Sequence, residues 1–186
     1  MRLYRVFPWN RAAAEDRPGG ALYAPASTSG RIDNPTLYQV LYLSSHPEGA
    51  VAESLGRLRI WRDESFLRTG VRLALAVVEV EESTQIVDLT RVEVLVALGV
   101  VLATEVISRD RASTQSLARR VFERGRSEGM SWWSYYNPDW LNVGLWSLSS
   151  VHLIGTPELL ATEHPAVVAA AESLPRQIVE GRSRRR

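Results

Sequence analysis

Three short stretches run almost end to end: Ser29-Gly-Arg-Ile-Asp-Asn-Pro35, Leu37-Tyr-Gln-Val-Leu-Tyr-Leu-Ser44 and His46-Pro-Glu-Gly-Ala-Val-Ala-Glu53-Ser-Leu55. The first is turn chemistry, with Gly30 before Arg31 and Asp33-Asn34-Pro35 after it, so Arg31 is expected on a loop. The second alternates and is rich in Leu, Val and Tyr, which predicts a strand with Tyr42 near its end. The third predicts a helix: Ser45 can cap it, Pro47 sits just inside its start, and Ala50, Val51, Ser54, Leu55 and Leu58 fall at helical spacing. Glu53 then lies in the second turn. Arg31, Tyr42 and Glu53 follow one another at steps of eleven residues. A loop cation, a strand aromatic and a helix carboxylate can converge on one cleft. Such a set suits a substrate with an anionic part, a flat ring and a centre that becomes cationic.

Outward from this stretch, Leu3–Phe7 reads as a strand, 8–20 as loop, and Ala21–Ala24 as a short extended piece. Trp61–Thr69 is a charged connection. Val71–Glu81 and Gln85–Leu89 read as strands. A helix over 91–98 is expected with Thr90 as its cap, and another over 113–124, whose apolar Leu117, Val121 and Phe122 share a face and which Gly125 ends. Gly129–Ser134 and Leu141–Ser149 read as extended, Val151–Ile154 as a last strand, and His164–Ser173 as an Ala/Val-rich helix on the outside. Strands and helices interleave irregularly, which favours an α+β fold over a doubly wound parallel sheet. The 186 residues suit a single domain over 1–180, with a basic disordered tail over 181–186.

Composition narrows the chemistry. The formal net charge of +1 gives no global field for nucleic acid or membrane. There is no cysteine, which removes disulfides, thiolate nucleophiles and Cys-based zinc sites. All 22 basic residues are arginine, which removes Schiff-base and P-loop lysines. The three histidines, His46, His152 and His164, show no metal-ligand spacing, so no metal is expected. The apolar run from Val92 to Ile107 is interrupted by Glu93 and Glu105 and is too short to span a bilayer, and the N-terminus lacks a signal-peptide run. A cytoplasmic location is the expectation. Carboxylates, hydroxyls, arginines and aromatics must carry any reaction.

These residues resemble the RES domain family, many of whose members are toxins of bacterial toxin–antitoxin pairs. Tyr4-Arg5-Val6, Gly19-Gly20-Ala21, Ser29-Gly30-Arg31, Val40-Leu41-Tyr42-Leu43-Ser44 and Ala50-Val51-Ala52-Glu53 are similar to successive blocks of that family. Gly129-Met-Ser-Trp-Trp-Ser134, with Leu145-Trp146, is similar to its later serine block. The resemblance covers most of residues 2–156. It departs where Ile32-Asp33-Asn34 follows the arginine in place of Trp-Asn, a change expected to alter the arginine loop.

The resemblance implies an ADP-ribosyltransferase-like fold: a mixed, mainly antiparallel sheet with flanking helices. It implies NAD⁺ as substrate and cleavage of the nicotinamide–ribose bond, with a helix-turn-helix, Xre-type antitoxin blocking the site and a homodimer of the toxin. On that footing Glu53 stabilises the oxocarbenium-like ribose and Arg31 grips the pyrophosphate. Tyr42 stacks on nicotinamide or ribose, or binds through its hydroxyl. Ser134 hydrogen-bonds NAD⁺ near the nicotinamide, with Ser131 of the same block as the alternative. Arg5 either contacts phosphate or alternates outward. The aromatic group Trp132, Trp133, Tyr135, Tyr136 and Trp140 is read as core and cleft wall, and His46 as a cap or surface residue. The acceptor stays open between water, phosphate and a protein side chain, so NAD⁺ depletion comes first and protein ADP-ribosylation second. A non-catalytic NAD⁺-binding module is the reading from another class.

Overall fold

A computed structural model describes residues 1–179; the 181–186 tail lies outside the described residues. In chain order the elements are β1 (Arg2–Pro8), β2 (Leu41–Ser44), α1 (Pro47–Leu55), β3 (Ile60–Trp61), β4 (Leu67–Arg68), β5 (Val71–Val80), β6 (Ile86–Asp88), α2 (Val92–Ala97), α3 (Arg111–Glu123), β7 (Gly129–Trp133), β8 (Leu141–Leu145), β9 (Val151–Leu159), α4 (Pro165–Ser173) and β10 (Gln177–Ile178). Eight of the strands form one sheet in the order β4-β5-β1-β2-β8-β7-β6, with β9 also paired to β5. Every pairing in it is antiparallel except β6 with β7. The expected α+β architecture, mixed and mainly antiparallel with flanking helices, is the one observed.

The sheet has two halves. In the first, β1 pairs with β5 along its whole length, from Arg2↔Glu79 to Pro8↔Leu73. β5 is buried on both faces through Leu73, Ala74, Leu75 and Ala76, which is why its apolar run is nearly continuous there rather than alternating. In the second half β2, β8 and β7 run side by side. The halves meet at one residue pair, Tyr4↔Ser44. Beyond it β1 and β2 part company.

Helices cover the sheet unevenly. α1 and α4 pack together, with Val51, Leu55 and Val167 fully buried beside Trp61 and Phe66. α2 and α3 cover the second half, where Leu95, Leu117 and Val121 meet Ile32, Met130 and Trp132. α4 is thus packed on the outside as expected, with Ala166, Val167, Ala170 and Ala171 turned into the core.

Several boundaries differ from those expected. β2 has four residues because Pro35 and Thr36 turn the chain, leaving Tyr38 paired with Asn34 in an isolated bridge. The cap of α1 is His46; the Ser45 hydroxyl instead bonds His46 Nδ1 at 2.8 Å and accepts from Leu141 N at 2.9 Å. α1 stops at Leu55, where Trp61 Nε1 takes the carbonyls of Leu55 and Leu58 at 3.1 and 3.2 Å. Thr90 does not cap α2, because its hydroxyl donates to Asp88 Oδ1 at 2.7 Å. α3 begins two residues before the expected start, capped by Asp110, whose Oδ1 accepts from Ala112 N at 3.0 Å. Residues 21–24 form no strand; the Arg5 guanidinium binds the carbonyls of Ala21 and Tyr23 and holds them as a turn.

Leu55→Ala would leave a cavity between α1, α4 and Trp61. It is expected to cost about 2–5 kcal/mol, read as a fall of roughly 5–15 °C in thermal midpoint for a domain of this size.

Candidate active site

A cavity of about 480 Å³ opens where β1 and β2 diverge, within the range typical of small-molecule sites. β1 contributes Tyr4, Arg5 and Val6; β2 contributes Tyr42, Leu43 and Ser44; α1 contributes Ala50, Glu53 and Ser54. The Arg31 loop closes one side. The structure thus brings Arg31, Tyr42 and Glu53 to one cleft, each on the kind of element its local sequence predicts.

Glu53 is exposed to the cleft, yet its carboxylate is fixed from behind. Oε1 accepts from the Ser134 hydroxyl at 2.7 Å and from Asn142 Nδ2 at 2.7 Å. Both donors are buried, at 4% and 6% exposure. Ser134 is itself oriented, since its oxygen accepts from Tyr136 N at 3.1 Å. Oε2 has no partner among the described residues. Ser134 therefore touches Glu53 rather than the cleft space. Ser131 lies elsewhere, donating to Asp88 Oδ1 at 3.3 Å. Of the two serines left open by the sequence, the geometry joins Ser134 to the other site residues. Asn142 escaped the sequence reading; its only signal is an amide set between Leu141 and Val143 in an otherwise apolar strand.

The Arg31 loop is tied by a knot of short bonds. Asp33, 5% exposed, accepts from Gly30 N at 2.6 Å through Oδ2 and from the Tyr42 hydroxyl at 2.7 Å through Oδ1. The same hydroxyl accepts from Ile32 N at 3.0 Å. A Cβ at Gly30 would collide with both the Tyr42 hydroxyl and the Asp33 carboxylate, so glycine is required there by space. Tyr42 thus spends its hydroxyl inside the protein, leaving its ring to line the cleft edge-to-face with Trp132 at 6.3 Å. Ile32, 1% exposed, fills core space against Tyr38, Val40 and Trp132. Within the Ile32-Asp33-Asn34 departure, the Asp33 carboxylate and the Ile32 amide supply this knot.

Six arginines line the cleft: Arg5, Arg31, Arg57, Arg68, Arg109 and Arg111, against the single carboxylate of Glu53. Arg31 donates from Nη1 to the carbonyls of Val106 and Ser108 at 3.1 and 2.6 Å. Burial and then the neighbouring Arg111 lower its pKa, while Glu53 and Tyr42 pull it back up. Arg5 faces inward beside the cleft and is lowered to about 10 by burial, which leaves it charged at neutral pH. Arg109 stacks over Tyr135 at 4.7 Å. Composition alone hid this concentration, because the net charge of the whole chain is near zero.

A family model described as the RES domain matches residues 2–171. Among solved structures, a chain of the M. tuberculosis MbcT–MbcA toxin–antitoxin complex is similar, with a TM-score of 0.63 and 14% identity, covering 94% of this chain and 88% of that one. At that identity the likeness shows a shared fold. No curated protein matches the sequence.

The knot predicts an alkaline signature. Burial raises the pKa of Tyr42, and its bond to Asp33 raises it further. Burial likewise raises Tyr38, which the Asn34 amide lowers and Asp33 raises, to about 12. Folded Tyr38 keeps its proton after unfolded tyrosine, near 10, has lost it. Stability from this group is whole below pH 10 and is lost as the pH climbs through about 12. Tyrosinate absorbance should show these two rings ionising only as the protein unfolds. Tyr42→Phe, which strips one partner from the buried Asp33, should cost about 1–3 kcal/mol and speed amide exchange at Gly30 and Ile32.

Proposed function

The chain belongs to the RES domain family, and on that premise we propose that it is a toxin-like enzyme that cleaves the nicotinamide–ribose bond of NAD⁺. The observation that carries this reading is the Glu53 carboxylate, held by two buried neutral donors in an arginine-lined cleft. Bond breaking sends the C–N electron pair to the nicotinamide nitrogen, which leaves neutral, and builds positive charge on the ribose C1′ and ring oxygen. Glu53 stabilises that charge and can accept a hydrogen bond from a ribose hydroxyl. An acceptor then adds to C1′ and gives up its proton. With water the balance is NAD⁺ plus H₂O to ADP-ribose, nicotinamide and H⁺; phosphate or a protein side chain gives the corresponding adduct.

Ser134 and Asn142 act through Glu53 as positioning residues, which gives the serine a task behind the carboxylate rather than on nicotinamide. Arg31 offers its guanidinium to the diphosphate. The Tyr42 ring forms part of the wall for a flat group, while its hydroxyl holds the loop. Free activity of this kind depletes a host cofactor or modifies host proteins. A neutralising protein, of helix-turn-helix type, accordingly belongs to the proposal; the related solved structure is itself a toxin–antitoxin complex. Cytoplasmic NAD⁺ is the substrate pool proposed. Among the described residues no helix is long and apolar enough to cross a membrane.

The test is incubation of the full chain with NAD⁺, with mass spectrometry of the products. Wild type should release nicotinamide, and the mass of the second product names the acceptor. Glu53→Gln should lower the rate at least about 100-fold. If NAD⁺ survives with phosphate and candidate proteins supplied, the reading fails and a non-catalytic binding module takes its place.

Asn142→Ala tests the support behind Glu53. It should lower kcat roughly tenfold through the lost charge-assisted bond with KM nearly unchanged, because Asn142 orients the carboxylate and does not hold the dinucleotide's phosphates.

A further inference from the structure

Outside the cleft, Arg72 and Arg119 are matched by carboxylates, while Arg120, Arg124 and Arg176 are held by carbonyls. Arg72 places Nη1 and Nη2 on the two Asp63 oxygens at 2.9 and 2.8 Å, and Arg119 places Nε on Glu123 at 2.7 Å. Arg31 and Arg111, both in the cleft wall, are likewise held by neutral carbonyls. Arg31 uses Nη1 on Val106 and Ser108, and Arg111 uses Nε on Ser29 O at 3.2 Å. Neither forms an ion pair among the described residues. Nη1 of Arg111 is buried with no hydrogen-bond partner.

An unpartnered buried donor is costly, and two like charges in one cleft add repulsion. Arg57, Arg68 and Arg109 differ, because they are exposed, and Arg68 also donates from Nη2 to the carbonyl of Ser54 at 3.0 Å. Arg5 differs too, being committed to Ala21 and Tyr23.

The spacing of the two arginines is built in. Gln115 on α3 donates from Nε2 to the carbonyls of Thr28 and Gly30, both at 2.8 Å, and its main-chain carbonyl accepts from Asn34 Nδ2 at 3.0 Å. Those bonds lash the Arg31 loop to the first turns of α3, where Arg111 stands. Two planar cations without carboxylate partners on one cleft wall fit a group bearing paired anionic oxygens.

We infer that Arg31 and Arg111 together form the seat for a diphosphate linkage, with Arg111 a binding residue outside the Arg31–Tyr42–Glu53 stretch. The inference rests on the dinucleotide reading above and gives it a second anchor. Diphosphate held there sets the attached ribose beside Glu53, which is near enough to Arg31 to act on its charge.

Calorimetric binding of ADP, AMP and adenosine to the full chain tests the seat. Wild type should bind ADP at least about tenfold more tightly than adenosine. Arg111→Gln should weaken ADP about tenfold to 100-fold and leave adenosine unchanged. Arg111→Lys keeps the charge without the fork and should fall between them; it carries the test if the glutamine variant does not fold. ADP affinity equal to wild type in whichever variant folds overturns the seat. Glu53→Gln separates the two readings. Nicotinamide release that depends on Glu53, with ADP binding indifferent to Arg111, sinks the seat alone. Loss of ADP affinity in the Arg111 variants, with NAD⁺ left intact by wild type, sinks the reaction and keeps the seat.

Discussion

One pairing, Tyr4 with Ser44, sets the character of the molecule. Two antiparallel strands ordinarily zip along their length, and β1 does so with β5 over seven residues. Against β2 it manages one. The sheet is continuous enough to fold as a unit, yet parts at its middle, and the side chains of Tyr4, Arg5, Val6, Leu43 and Ser44 along the parted strands become the inner walls of the cleft. The gap then has to be furnished by other elements: α1 brings Glu53 along one side and the Arg31 loop closes another. A site placed between two rigid halves of a sheet is held by strands and helices, which fix side chains more sharply than free loops do.

The loop that is needed, the one carrying Arg31, gains that rigidity through charge that is satisfied internally. Asp33 is the only carboxylate in the knot, and its oxygens are taken by Gly30 N and the Tyr42 hydroxyl. It compensates the local positive field without pairing Arg31, whose own bonds go to carbonyls. A direct Asp33–Arg31 ion pair would have consumed the cation that the cleft presents. Gln115 and Asn34 complete the same strategy with neutral groups. The result is a cleft that stays cationic while the loop carrying Arg31 is held by neutral and internally satisfied groups.

What could be read from the sequence follows from how local each signal is. Arg31, Tyr42 and Glu53 lie on three consecutive elements, so turn residues, alternation and helical spacing placed each of them without long-range knowledge. The mainly antiparallel sheet followed from strands adjacent in sequence. Caps were misplaced at α1 and α2 because Ser45 and Thr90 each had a better partner, Leu141 N and Asp88, that no local rule reveals. Asn142 and Arg111 were missed for the same reason at larger scale: their partners lie 89 and 82 residues away. The bond from Ser134 to Glu53 was not legible either, because it forms only when β7 and β8 fold and bring the serine, 81 residues away in sequence, behind the carboxylate. A dense group of arginines on one cleft was invisible to net charge, which sums over surfaces that never meet.

The neutrality of the groups behind Glu53 is the last consequence of this arrangement. Six arginines line the cleft, and none pairs with its one carboxylate among the described residues. A salt bridge would orient Glu53 as well as Ser134 and Asn142 do, but it would also place a counter-charge beside it, and a carboxylate already matched to a cation does less for a second one. Two neutral hydrogen bonds on Oε1 fix the geometry and leave the carboxylate without a counter-charge. Arg31 and Arg111, in turn, are held by carbonyls and stay available for anions. Opposite charges sit in one cavity without cancelling because each is anchored by dipoles, and a substrate that carries both an anionic linkage and a centre able to become cationic is the partner that such a separation suits.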